Sequence, residues 1–191
     1  MFERFTKDAR AVVLDAVGHA ERSHAATVDE EHLLLALLDR EASRAAFALA
    51  SLGAAGRRDS MERALAEARR RGGLSRAETE ALSDLGIDMA EVVSRVEATH
   101  GAGALEPARG KGGRGGWFSG HRPFTRGAKD LLTQALRVAV AHHDRHIGDE
   151  HLLLALTARP GIVAEVLADH GVTYEAVERV LWGGGGAASA D

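Results

Sequence analysis

Apolar residues fall on a helical rhythm near the start of the chain and again in its second half. Ala9, Val12, Val13, Ala16, Val17 and Ala20 follow the i, i+3, i+4, i+7 spacing of one buried helix face, and Ala128, Leu131, Leu132, Ala135, Leu136 and Ala139 do the same. Thr6 and Thr125 stand where the N-caps of these helices belong. Each stretch is followed by a denser apolar run headed by acidic residues and a histidine: "DEEHLLLAL" from Asp29 and "GDEHLLLAL" from Gly148. The leucines predict core helices. Gly53 and Gly171 stand where later helices should stop.

The two halves are copies. Displaced by 119 residues, "FTKDARAVVLDAVGHA" from Phe5 falls on "FTRGAKDLLTQALRVA" from Phe124, with no gap over residues 5–40. Phe5, Thr6, Ala9, Ala16, Ala20, His24, Glu31, His32 and the Leu-Leu-Leu-Ala-Leu run recur identically. Beyond Arg40 the offset becomes 118, and "AAFALASLG" falls on "VAEVLADHG". Each copy therefore reads as a helix, a loop, the leucine helix, a helix ending in glycine and a final helix. The expected fold is all-α, with two four-helix units packed together.

The segments after the two copies differ. We expect the first repeat over residues 1–71, a helical insertion over 72–101, a flexible Gly/Arg-rich linker over 102–122, the second repeat over 123–182 and a disordered tail over 183–191. In the insertion, Ser75 with Glu78 and Asp88 with Glu91 have capping-box spacing. Its "DLGIDMAEVVSRV" also resembles "DHGVTYEAVERVL" at the end of the second copy, so an alternative alignment places it in the first unit.

Composition narrows the chemistry. The chain has 191 residues, a formal charge of −4 and no cysteine. Disulfides, thiol catalysis and cysteine-bound zinc are excluded. The charge gives no reason to expect nucleic acid as a partner. Arg109, Lys111, Arg114 and Trp117 faintly suggest an RGG segment, but a solvated linker is the better reading. The N-terminus lacks a secretory apolar run, and no stretch is long enough to span a bilayer. The expectation is a soluble cytoplasmic protein with no membrane partner.

The duplicated pair "RFTKDAR…DEEHLLLALL" and "PFTRGAK…IGDEHLLLAL" resembles the Clp N-terminal (Clp repeat) domain of ClpA- and ClpC-type unfoldases. The resemblance implies a pseudo-twofold, all-α domain that receives substrates and adaptors for an ATP-driven unfoldase. No G-x-x-x-x-G-K-[ST] phosphate loop is present: "ARGKGG" at Ala108 lacks the first glycine, at Leu105, and the final hydroxyl residue. The expectation is a free-standing, non-catalytic binding module without an AAA+ motor or a cofactor. It would act as an accessory or decoy of a ClpC-type unfoldase, binding substrates, adaptors or Clp-directed ligands such as cyclic peptides. The alternatives are a His/Glu-dependent hydrolase or metal enzyme, and a structural oligomerisation module.

In ClpC-type members the resemblance implies two pockets for phosphorylated arginine. Their threonine and glutamate positions fall here on Thr6 with Glu31, and on Thr125 with Glu150. A helix start with a free hydroxyl attracts phosphate, and a carboxylate grips a guanidinium. The same residues also suit plain N-caps and first-turn acids. The second copy keeps a glycine at Gly148, where the first has the more acidic Asp29-Glu30, so the second is the expected working pocket. The resemblance also implies a peptide surface at the starts of the first helices, here Phe2, Arg10, Phe124 and Lys129, although Phe5 and Phe124 also suit the core. His32 and His151 read as hydrogen-bonded helix-start residues. His142, His143 and His146 lack a defined ligand geometry, so no metal is expected.

Overall fold

The periodic segments fold as helices in the computed structural model, which describes residues 4–102, 104–105 and 122–183. Much of the expected linker, the tail beyond Gly183, and Phe2 lie outside the described residues. The first copy supplies α1 (Lys7–Arg22), α2 (Glu30–Leu38), α3 (Arg44–Ser51) and α4 (Arg58–Arg70). Two further helices come next, α5 (Arg76–Asp84) and α6 (Met89–His100). The second copy supplies α7 (Arg126–Ala141), α8 (Asp149–Ala158), α9 (Ile162–Asp169) and α10 (Tyr174–Trp182). Among the described residues, no single helix is long and apolar enough to cross a membrane.

The leucine helices form the middle of the core. Leu33, Leu34 and Leu37 of α2, and Leu152, Leu153, Leu154 and Leu156 of α8, are buried. The small faces of α1 and α7, with Ala9, Ala16, Ala20, Ala128, Ala135 and Ala139, let those helices pack closely against α2 and α8.

The two copies interlock rather than stand side by side. The fourth helix of each packs on the third helix of the other: α4 on α9, and α10 on α3. Met61 and Leu65 anchor α4, and Val177 anchors α10. The segments ahead of the first helices cross over as well. Phe5 forms a β-bridge with Ile147, and Phe124 forms one with Val28. The Thr6 N–H donates to the Ile147 carbonyl at 2.9 Å, and the Thr125 N–H donates to the Val28 carbonyl at 2.9 Å. These bridges exchange under the 119-residue displacement, so a pseudo-twofold relation is written into the backbone hydrogen bonds.

The segment matching α10 in position is α4, whereas α5 and α6 bury none of their own residues. Ser75 and Glu78 cap α5 reciprocally, while Asp88 caps α6 and Glu91 turns instead to Arg95 at 2.5 Å. The α5 start is tied to α9: the Arg76 N–H donates to Glu165 at 2.7 Å, and its guanidinium donates to Asp169 at 2.5 Å.

The repeated histidines His24 and His143 have a structural role that the helical pattern does not reveal. Both adopt left-handed backbone angles, with φ of 55° and 58°. Each stands just past the last turn of a first helix, where the next N–H closes a six-residue loop onto the helix: Ala25 to Ala20 and Asp144 to Ala139, both at 2.9 Å. Glycine is usual in this position, and histidine tolerates it better than branched residues.

Candidate functional site: two related helix starts with different surroundings

The α2 and α8 starts share one local design. Asp29 and Gly148 are the N-caps, and Glu31 and Glu150 are the second residues of their helices. His32 and His151 complete the caps from one residue further on. The Asp29 N–H donates to His32 Nδ1 at 3.2 Å, and the Gly148 N–H donates to His151 Nδ1 at 2.8 Å. The opposite ring nitrogens are held too: His32 Nε2 lies 3.1 Å from Ser23 Oγ, and His151 Nε2 lies 2.9 Å from Asp144 Oδ2. Both rings are thus committed to positioning a helix start.

Around this common frame the glutamates diverge. In the second copy the Glu150 side chain folds back over Gly148, where a Cβ atom would collide with its carboxyl group. There it accepts a hydrogen bond from Arg44 Nη1 at 2.8 Å. Arg44 also stands 5.0 Å from the centroid of the Trp182 ring, in cation–π position, and His142 stacks on Trp182 at 4.1 Å. Neighbouring Asp149 is buried and accepts from the Ala45 N–H at the α3 start. The Glu150 side chain is 5% exposed. Burial pushes its carboxyl up to about 7, against the pull of Arg44 and with Asp149 adding to the rise.

The glycine of the second motif therefore makes room for an inward-folded glutamate. In the first copy that room is taken. Asp29 places its own carboxylate there, accepting from the His32 N–H at 3.1 Å. Glu31 lines a cleft of about 210 Å³ between the α2 start and the second copy, with Leu131, Leu156, Arg159, Pro160 and Ile162 among the other lining residues. Its side chain is 15% exposed, and Arg69 Nε stands 3.3 Å away. Burial lifts this carboxyl to about 7 as well, with Arg69 opposing and Asp29 reinforcing the rise.

The threonines and glutamates are arranged across the copies. The bridges bring the α7 start, with Thr125, beside the α2 start, and the α1 start, with Thr6, beside the α8 start. Gly127 of α7 lies so close to Glu30 that a Cβ there would collide with it. The pairing implied by the resemblance, Thr6 with Glu31 and Thr125 with Glu150, runs within each copy, whereas the backbone bridges set Thr125 beside the first motif and Thr6 beside the second. Thr6 Oγ1 and Thr125 Oγ1 accept from the N–H groups of Ala9 and Ala128 at 3.2 and 3.1 Å. Phe5 is buried and Phe124 partly buried, while Arg10 and Lys129 are exposed at related positions on α1 and α7.

Arg44 and Trp182 escaped the sequence reading because their partners lie far along the chain. The signal available was the break in the repeat: Ile162 stands at the position equivalent to Arg44, and "VERVLW" over "MERALA" sets Ala66 against Trp182. Asp144, Glu150 and His151 also bring ligand atoms within 4.8 Å of one another. Glu150 is engaged by Arg44, and the two His151 nitrogens by Asp144 and Gly148. His32 and His151 each serve their own cap, and Glu31 and Glu150 meet different arginines, Arg69 and Arg44.

The interlocked helical duplication defines an all-α tandem-repeat domain with two related helix-start sites. The Clp repeat (R) N-terminal domain profile matches residues 4–77 and 123–183, and the chain belongs to that family. Its structure is similar to the N-terminal domain of the caseinolytic protease associated chaperone ClpD from Arabidopsis thaliana, with a TM-score of 0.52 and 17% identity over 95% of this chain and 94% of that one. It is also similar to the Hsp104 N-terminal domain from Candida albicans, with a TM-score of 0.46 and 14% identity over 94% of this chain and 89% of that one.

Proposed function

We propose that this chain is a non-catalytic binding module of Clp proteolysis, receiving protein substrates or adaptors as an accessory or decoy of a ClpC-type unfoldase. Family membership supports the general role. The observation that carries the specific reading is the Glu31 cleft: a carboxylate at a helix start, open to a groove that also contains Arg159. We assign it a phosphoarginine side chain on a marked protein. The guanidinium of the ligand pairs with Glu31, displacing Arg69. The phosphoryl group lies toward the α7 start and Arg159, where amide dipoles and a cation favour an anion. Thr125 belongs with this pocket, and Thr6 with the more enclosed one at Glu150.

Calorimetric titration with a phosphoarginine peptide tests this reading, with the unphosphorylated peptide as control. Binding should weaken at least tenfold in Glu31→Ala, about the loss of one charge-assisted pair. No binding, or binding indifferent to that change, removes the phosphoarginine assignment. Failure of the protein to retain a ClpC-type unfoldase, its adaptors or its substrates in a pull-down would remove the wider role.

A further inference from the structure

Glu150 is the counterpart of Glu31 under the repeat, and both meet an arginine, but the arginine at Glu150 is held more closely. Arg44 Nη1 approaches its carboxyl to 2.8 Å, and the Trp182 ring stands 5.0 Å from the Arg44 guanidinium carbon. A carboxylate on one side and an aromatic ring on the other are the features a protein uses to bind an arginine side chain from outside. Neither arm of this grip is repeated around Glu31, where the corresponding residues are Ile162 and Ala66. The arginine that does approach Glu31, Arg69, comes from α4 and stands at 3.3 Å.

We propose that Arg44 is an intramolecular ligand that fills the Glu150 site, held there by Trp182, so that the protein presents one working arginine pocket rather than two. This rests on the arginine-binding reading of the Glu31 cleft. The substitutions make the pseudo-symmetric domain functionally one-sided: a single marked residue is captured per chain, with no bivalent grip on one substrate. Arg44 is a specificity-determining residue acting by competition. Its side chain is 48% exposed, so it has a route out toward solvent.

The test is binding stoichiometry with a phosphoarginine peptide, measured by calorimetry on the full chain. The natural protein should bind one peptide per chain, lost in Glu31→Ala and retained in Glu150→Ala. Arg44→Ile, which copies the other half, should raise the stoichiometry to two, and the new site should vanish in Arg44→Ile combined with Glu150→Ala. Trp182→Ala is the second variant: it leaves Arg44 in place but loosens it, and should expose a second, weaker site. Thermal melts followed by circular dichroism establish that each variant is folded. Two peptides bound by the natural protein, or one bound by both folded variants, overturns the proposal while leaving the Glu31 pocket standing. Absence of binding in the natural protein and in both variants overturns the pocket reading and this proposal with it.

Discussion

The α2 and α8 starts are nearly the same in sequence and differ in what they can offer. Both place a glutamate second in the helix and a histidine third, and both histidines close the cap. At α8 a glycine cap leaves space for the glutamate to fold inward, where Arg44 meets it. At α2 an aspartate cap fills that space, and the glutamate lines a cleft instead. The motif itself specifies a helix start. Its neighbours set what each carboxylate meets: Arg44, from the other copy, at Glu150, and Arg69, from the same copy, at Glu31.

The comparison breaks first in the core, where the copies should behave alike. Leu34 and Leu153 are equivalent and fully buried. Leu34→Ala and Leu153→Ala should each cost about 3–4 kcal/mol, the usual loss for a buried leucine, and agree within about 1 kcal/mol. Urea unfolding checks this. A large disparity would mean that the copies contribute unequally to the core.

The carboxylates give the next largest effect. Burial raises both Glu31 and Glu150 to about 7 from 4.5. The unfolded chain then releases these protons first, so their burial begins to cost stability as pH climbs past about 4.5, and the cost is complete above about 7. Glu31→Gln and Glu150→Gln cannot ionise, so each should gain stability relative to the natural protein across that window, by about 2–3 kcal/mol. His19 acts in the opposite sense. Burial, aided by Arg22, Arg58 and His32, lowers it to about 4, so its contribution is lost as pH falls below about 6.5. That loss is common to all variants and cancels in the difference. Unfolding free energies that keep a constant gap from pH 5 to pH 8 would contradict the account.

The caps give a smaller contrast. Gly148→Ala puts a methyl group into the Glu150 carboxyl and should cost about 2 kcal/mol through overpacking. Asp29→Ala removes a cap without a collision and should cost about 1 kcal/mol. Equal losses in thermal melts would mean that Gly148 does not serve to accommodate Glu150.

The duplication and most helices were legible because the apolar spacing and the Leu-Leu-Leu-Ala-Leu runs are local signals. Thr6 and Thr125 were legible as caps for the same reason. The crossing of the copies was not. The order Thr6 then Glu31 along the chain says nothing about the exchange of bridges between Phe5 and Ile147, and between Val28 and Phe124, which puts Thr125 beside the first motif. Gly148 marked the second copy as the expected working pocket because it keeps the family's glycine, and in the structure Glu150 folds over that glycine. Arg44 lies 106 residues from the carboxylate it fills, and no local pattern reaches that far. Nor does the local pattern reveal that α4 packs on α9 as α10 packs on α3.

The central claim is that the first motif holds the accessible pocket. Backbone amide shift mapping by NMR during titration with a phosphoarginine peptide tests it most directly. The account predicts shifts centred on residues 29–31, 125–131 and 159–164, with residues 44 and 148–151 little changed. Shifts centred on residues 148–151 and on Arg44, with the first motif silent, would contradict it.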